Sequence, residues 1–152
     1  AKARLKWIDE QIAGYAQALG IKSLRPAGYA NTGIHYSAFS HRVYIPEAHL
    51  ARLQDRPLSI ILAHEVGHAS RRWQLFARVF SEADAIEEEV IADRIAVKLT
   101  HATPEEWEEA KRVSCAIDPK SDGFLSSEQY RIRRHAVFQL ANQSRQEFSH
   151  GS

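Results

Sequence analysis

A helix-rich α+β fold in a single domain is what this chain predicts, and three observations carry the prediction. Apolar residues recur every three or four positions over most of the sequence. The period shortens only between Ile21 and Ile45. No repeat or low-complexity linker divides the 152 residues, a length that suits one hydrophobic core. The domain is assigned to residues 1–149, with 150–152 as a tail outside it.

Taken in order, Leu5, Ile8, Ile12, Tyr15 and Leu19 share one face of a first helix, and Gly20 is a natural stop. Ile21 to Arg25, Ile34 to Phe39 and Arg42 to Ile45 read as short strands. Turns at Pro26, Gly28, Asn31-Thr32-Gly33 and Ser40-His41 separate them, which predicts a small antiparallel sheet. For His35 and Tyr36 the alternating burial of a half-exposed strand is the plain expectation, and a place in a cleft is the functional one. A buried helix follows, with Asp55 as N-cap and Pro57 in its first turn; Ile61, Leu62, Val66 and Ala69 continue its apolar pattern. An acidic helix covers Ile86 to Val97. Thr103-Pro104-Glu105-Glu106 forms a capping box for the next helix, and a last helix is expected from Ser127 to about Gln146.

The buried helix contains His64-Glu65-Val66-Gly67-His68. Residues four apart lie one above the other on a helix, so His64 and His68 can hold one metal ion together. Glu65 then points at a water on that ion and has the chemistry of a general base. A hydrolytic zinc site needs three protein ligands and one open position. Glu89 supplies the third: it shares a face of the acidic helix with Ala92, Asp93 and Ala96, and the small alanines allow a close approach to the His64 helix. Asp93 is placed to accept a hydrogen bond from the non-ligating nitrogen of a zinc histidine. Glu87 and Glu88 are expected to face solvent.

These two segments resemble the gluzincin metallopeptidases of the HtpX and CAAX prenyl endopeptidase type, in which the first helix reads A-H-E-x-G-H and the ligand helix E-x-x-A-D-x-x-A. Ala63 to His68 and Glu89 to Val97 carry the likeness. It extends upstream to Val43-Tyr44-Ile45-Pro46 and Leu50 to Leu53, and downstream to Tyr130-Arg131-Ile132, about residues 30 to 135 in all. The resemblance implies a zincin fold, an HExxH active-site helix, one Zn2+ per chain on His64, His68 and Glu89, and endopeptidase activity on a peptide or protein substrate. It also implies an arginine that stabilises the oxyanion, which falls on Arg131. The family's His-Pro pair is replaced here by Leu125-Ser126. Arg131 is therefore expected to act alone or with His135, one turn further along.

Two other classes compete with that reading. An ImmA-type regulatory protease acting on a repressor shares HExxH and a later E-x-x-A, but often has asparagine where Asp93 stands. A non-catalytic adaptor with structural zinc would have no use for Glu65. The formal net charge of +1 gives no basic field for nucleic acid. No apolar run is long enough to cross a bilayer, and cytoplasm is the favoured compartment. The sequence starts at Ala1 and has no methionine, so a removed initiator or a fragment of a membrane-associated protein is expected. Cys115 is the only cysteine and reads as a small buried hydrophobe. Asp118 to Gln129 has the outline of a calcium loop, but Lys120 and Gln129 occupy ligand places, and a simple turn is expected.

Overall fold

A computed structural model describes residues 2–77, 82–117, 128 and 130–139. The chain runs α1 (Lys2–Ala18), β1 (Arg25–Ala30), β2 (His35–Ser37), β3 (Arg42–Pro46), α2 (Glu47–Arg52), α3 (Asp55–Ala69), α4 (Arg72–Ala77), α5 (Glu82–Thr100) and α6 (Pro104–Ile117). Residues 130–139 form a further helical stretch, α7. The fold is α+β and helix-rich, as predicted.

α1 buries Ile8, Ile12 and Ala16, and Gly20 ends it with a positive φ of 67°, a conformation that glycine adopts without steric cost. Ile21 and Leu24 do not open a strand. The Ile21 N–H bonds back to Ala16 O at 2.8 Å, and both side chains pack on the core from a connector. β1 therefore starts at Arg25, four residues later than the apolar pattern implies.

The sheet corrects the antiparallel expectation. Its order is β1-β3-β2. β2 and β3 form the antiparallel hairpin, with Tyr36 opposite Val43, whereas β1 joins the other side of β3 in parallel. The parallel pair carries an irregularity between Arg25 and Gly28, where Pro26 has no N–H to donate. Gly28 is required by contact: a Cβ there would come within 2.8 Å of the Tyr44 ring. β2 is an edge strand as a result, and its Tyr36 N–H turns toward α3.

α3 is the central element. Every residue from Leu58 to Gly67 is buried, so the polar motif lies in a helix enclosed on all sides. Gln54, and not Asp55, is the N-cap residue, and no side chain caps the helix; Asp55 is the first helical residue and pairs with Arg4 at 3.5 Å. Against α3 lies α5, with Ala92 and Ala96 fully buried between the two helices. Gly67 completes the close approach, since a Cβ there would lie 3.2 Å from Ala92 O. α4 follows α3 directly. Arg72 on it donates from Nε to Ala38 O at 2.9 Å, tying the turn after β2 to the end of the HExxH helix.

The capping box of α6 forms as predicted, with reciprocal 3.1 Å bonds between Thr103 and Glu106. Trp107 on α6 is fully buried. Its ring stacks on Tyr130 at 5.5 Å and meets Phe138 edge-on at 5.8 Å, which clamps α7 to α6. No helix among the described residues is long and apolar enough to cross a membrane. Of the predicted Asp118 to Gln129 turn only Glu128 is among the described residues, and the Leu125-Ser126 pair and the ends of the predicted last helix lie outside them.

Candidate metal centre

His64, His68 and Glu89 come together as the spacing requires. The two His Nε2 atoms are 3.1 Å apart. Glu89 Oε2 is 3.1 Å from His64 Nε2, and its Oε1 is 3.2 Å from His68 Nε2. Four ligands at tetrahedral angles and bond lengths of about 2.0 Å have neighbours separated by about 3.3 Å. The residues present therefore fit a small divalent cation, and two imidazoles with one carboxylate suit zinc.

Asp93 is fully buried and accepts the His64 Nδ1–H at 2.7 Å on Oδ1. That bond orients the ring and turns Nε2 toward His68 and Glu89, the arrangement expected of a carboxylate behind a metal histidine. Two cations hold Asp93 in turn: Arg133 Nη2 at 2.8 Å from Oδ2 and Lys111 Nζ at 3.0 Å from Oδ1. Arg133 Nη2 also reaches Glu89 Oε2 at 3.3 Å.

These charges shape the proton affinities. Burial raises the Asp93 carboxyl, but Lys111, His64 and Arg133 outweigh it and hold the acid far below the usual carboxylate range. Glu89 shows the same balance: burial raises it, while the charges and hydrogen bonds of His64 and His68 pull it well down. His64 moves the other way. Burial and Lys111 lower its pKa, and the Asp93 and Glu89 carboxylates reverse this, lifting it to about 10.

Glu65 is buried beside the cluster. Its Oε2 accepts the Tyr36 backbone N–H at 2.8 Å, and its Oε1 lies 4.0 Å from His64 Nε2. The Tyr36 side chain is fixed too: its Oη–H donates to His41 Nδ1 at 2.7 Å, and His41 Nε2–H donates to Lys22 O at 3.0 Å. Burial pushes the Tyr36 hydroxyl up to about 12, against the opposing charge of Arg72. His35 is exposed and stacks on Tyr44 at 5.2 Å.

Comparison with protein-family models, with curated proteins and with solved structures finds no match. The reading of this centre rests on its geometry.

Two sequence expectations need correction. Arg131 and His135 are exposed on α7, whereas Arg133 and Val137 are buried. Residues two apart on a helix point to nearly opposite sides, so once Val137 enters the core, Arg133 turns to the centre and Arg131 to solvent. Tyr130, Arg133 and Val137 follow the inward spacing, whereas Arg131 carries only the motif match. Glu88 likewise is buried, not solvated, and binds Arg71 through two 2.7 Å bonds. Lys111 was also missed, although it sits one turn beyond the buried Trp107 on the inward side of α6. Glu87 is exposed as expected.

Proposed function

We propose that this chain is a zinc-dependent endopeptidase in which His64, His68 and Glu89 hold one Zn2+ and Glu65 is the general base. The observation that carries the reading is the placement of Glu65. A purely structural zinc site is closed by its four ligands and has no role for a buried carboxylate beside them. When bound, zinc would polarise a carbonyl and lower the pKa of a water molecule.

The chain's own groups have separable tasks. Glu65 Oε1, on the His64 side, is the proton acceptor, while Oε2 is anchored by Tyr36 N–H. That anchor fixes the carboxylate's direction, which general-base catalysis demands before pKa matters. After accepting a proton, Glu65 is placed to return it to the leaving amine. Asp93 holds the His64 ring in the tautomer that presents Nε2. The substrate is a peptide or protein that lies extended along the edge strand β2. The likeness of Ala63 to His68 and Glu89 to Val97 to the HtpX-type gluzincins agrees with this assignment and favours it over the ImmA-type regulatory protease.

Glu65→Gln tests it. The amide keeps the shape and can still accept the Tyr36 N–H but cannot take the proton, so zinc content and fold should persist while peptide hydrolysis falls a hundredfold or more, on the order of general-base contributions. Hydrolysis at the wild-type rate by the zinc-loaded variant would overturn the mechanism.

A further inference from the structure

Near the centre, the Arg133 guanidinium touches both acidic partners of the ligand set: Asp93 at 2.8 Å and Glu89 at 3.3 Å. Asp93 anchors it, because that carboxylate is fully buried and is itself bound to His64 and Lys111. α7 anchors it a second time through the packing of Tyr130 and Phe138 on Trp107. A guanidinium fixed at both ends is a rigid donor with little freedom to follow its acceptor.

Each Glu89 oxygen faces one histidine, Oε2 at 3.1 Å from His64 Nε2 and Oε1 at 3.2 Å from His68 Nε2, and the Arg133 contact falls on Oε2. A carboxylate can bind a metal with one oxygen or with both, and a second oxygen would add a fifth ligand atom to the three protein ligands and water of a hydrolytic site. Resting on the zinc-site reading above, we infer that Arg133 is a positioning residue that engages Glu89 Oε2 and so holds Glu89 as a one-oxygen ligand, keeping the site at four ligand atoms. It acts through Glu89 and needs no contact with substrate. The arrangement also explains why a buried cation is tolerated so near a metal site: Asp93 neutralises it, and without that partner its charge would oppose binding of the ion.

Cobalt(II) titrated into the metal-free protein tests this without any substrate. Cobalt absorbs strongly in the visible when four-coordinate and more weakly when a fifth ligand atom is added, so its spectrum reads the coordination number directly. Wild type and the exposed-site control Arg131→Met should both give the strong four-coordinate spectrum. Arg133→Met, shown by circular dichroism to be folded, should bind cobalt with a clear loss of visible intensity as both Glu89 oxygens engage. Should removal of the buried charge unfold the chain, Arg133→Lys decides the matter: Nη2 makes both contacts, and the lysine ammonium keeps a charge beside Asp93 but ends one bond short of the Nη2 position, so the longer Glu89 contact is lost and the same loss of intensity is expected. A wild-type spectrum from the folded Arg133 variant overturns the inference and leaves the zinc site standing. Failure of the wild type to bind cobalt or zinc overturns the zinc-site reading itself, and the inference with it.

Discussion

In the proposed zinc site, protonation of a single nitrogen opposes metal uptake. His64 Nε2 faces Glu89 at 3.1 Å, and with a pKa lifted to about 10 the ring is charged at neutral pH when no metal is bound. A ligating imidazole must be neutral, so uptake near pH 7 displaces a proton, and the apparent affinity should climb as pH rises toward 10. Calorimetric titration with zinc in buffers of different ionisation enthalpy should count about one proton released per ion. Heats that do not change with the buffer would contradict a charged His64. The same shift predicts a stability profile. The folded pKa lies above the ordinary value of 6.5, so the His64 contribution is complete below pH 6.5 and is lost as pH rises through about 10. Glu89 and Asp93 are shifted down, so their contribution is present above the ordinary carboxylate range and is lost in acid. The urea midpoint of the metal-free protein should therefore decline from neutral pH toward pH 10 and again in acid. An alkaline limb that stays flat would argue against the His64 shift.

Between elements, the crossing of α3 and α5 decides whether the ligands meet. Gly67 sits at that crossing, where a Cβ would lie 3.2 Å from Ala92 O and 3.3 Å from Ala92 Cα. Gly67→Ala brings two opposing effects. Alanine favours an interior helical position over glycine by about 1 kcal/mol, and crowding a packed interface costs about 1–3 kcal/mol. The crowded atoms belong to the α5 backbone and cannot swing aside, so crowding should win. Denaturant unfolding should show a net loss of stability, with weaker zinc binding because α5 carries Glu89. A more stable variant with unchanged zinc binding would mean that the helices have slack. This crossing was legible in the sequence, since HExxH and E-x-x-A-D each convert a four-residue spacing into one helical face and Ala92 and Ala96 mark the near side. The sheet was less legible. Alternation identifies β2 and β3 but says nothing of a strand's neighbour, and Ile21 and Leu24 are apolar because they pack from a connector. For Lys111 and Arg133 spacing marks the inward face but not the partner, which depends on how α6 and α7 are rotated against α5.

For the molecule as a whole, core and centre are largely separate supports. The buried cluster draws on Ile8 and Ile12 of α1, Val43 and Ile45 of β3, Leu58 and Leu62 of α3, and Trp107 of α6, none of which is a ligand. Removal of metal should therefore leave the fold intact and subtract only the linkage term, which amounts to about 3 kcal/mol when the ion is present at a hundred times its dissociation constant. After chelation the far-ultraviolet circular dichroism should be unchanged and the melting temperature lowered. Collapse of the helical signal on chelation would instead indicate a structural zinc, as in small domains that are unfolded without their metal.

The position of Arg133 along the chain has a temporal consequence. It lies 40 residues after Asp93 and 44 after Glu89, and translation delivers residues in that order at a few to some tens per second. For a period of seconds a growing chain already contains His64, His68 and Glu89 but lacks the arginine that orders the two carboxylates. Any ion met in that interval finds ligands without their fixed arrangement. In the proposed zinc site, ordered loading therefore waits until α7 has been made and docked on Trp107.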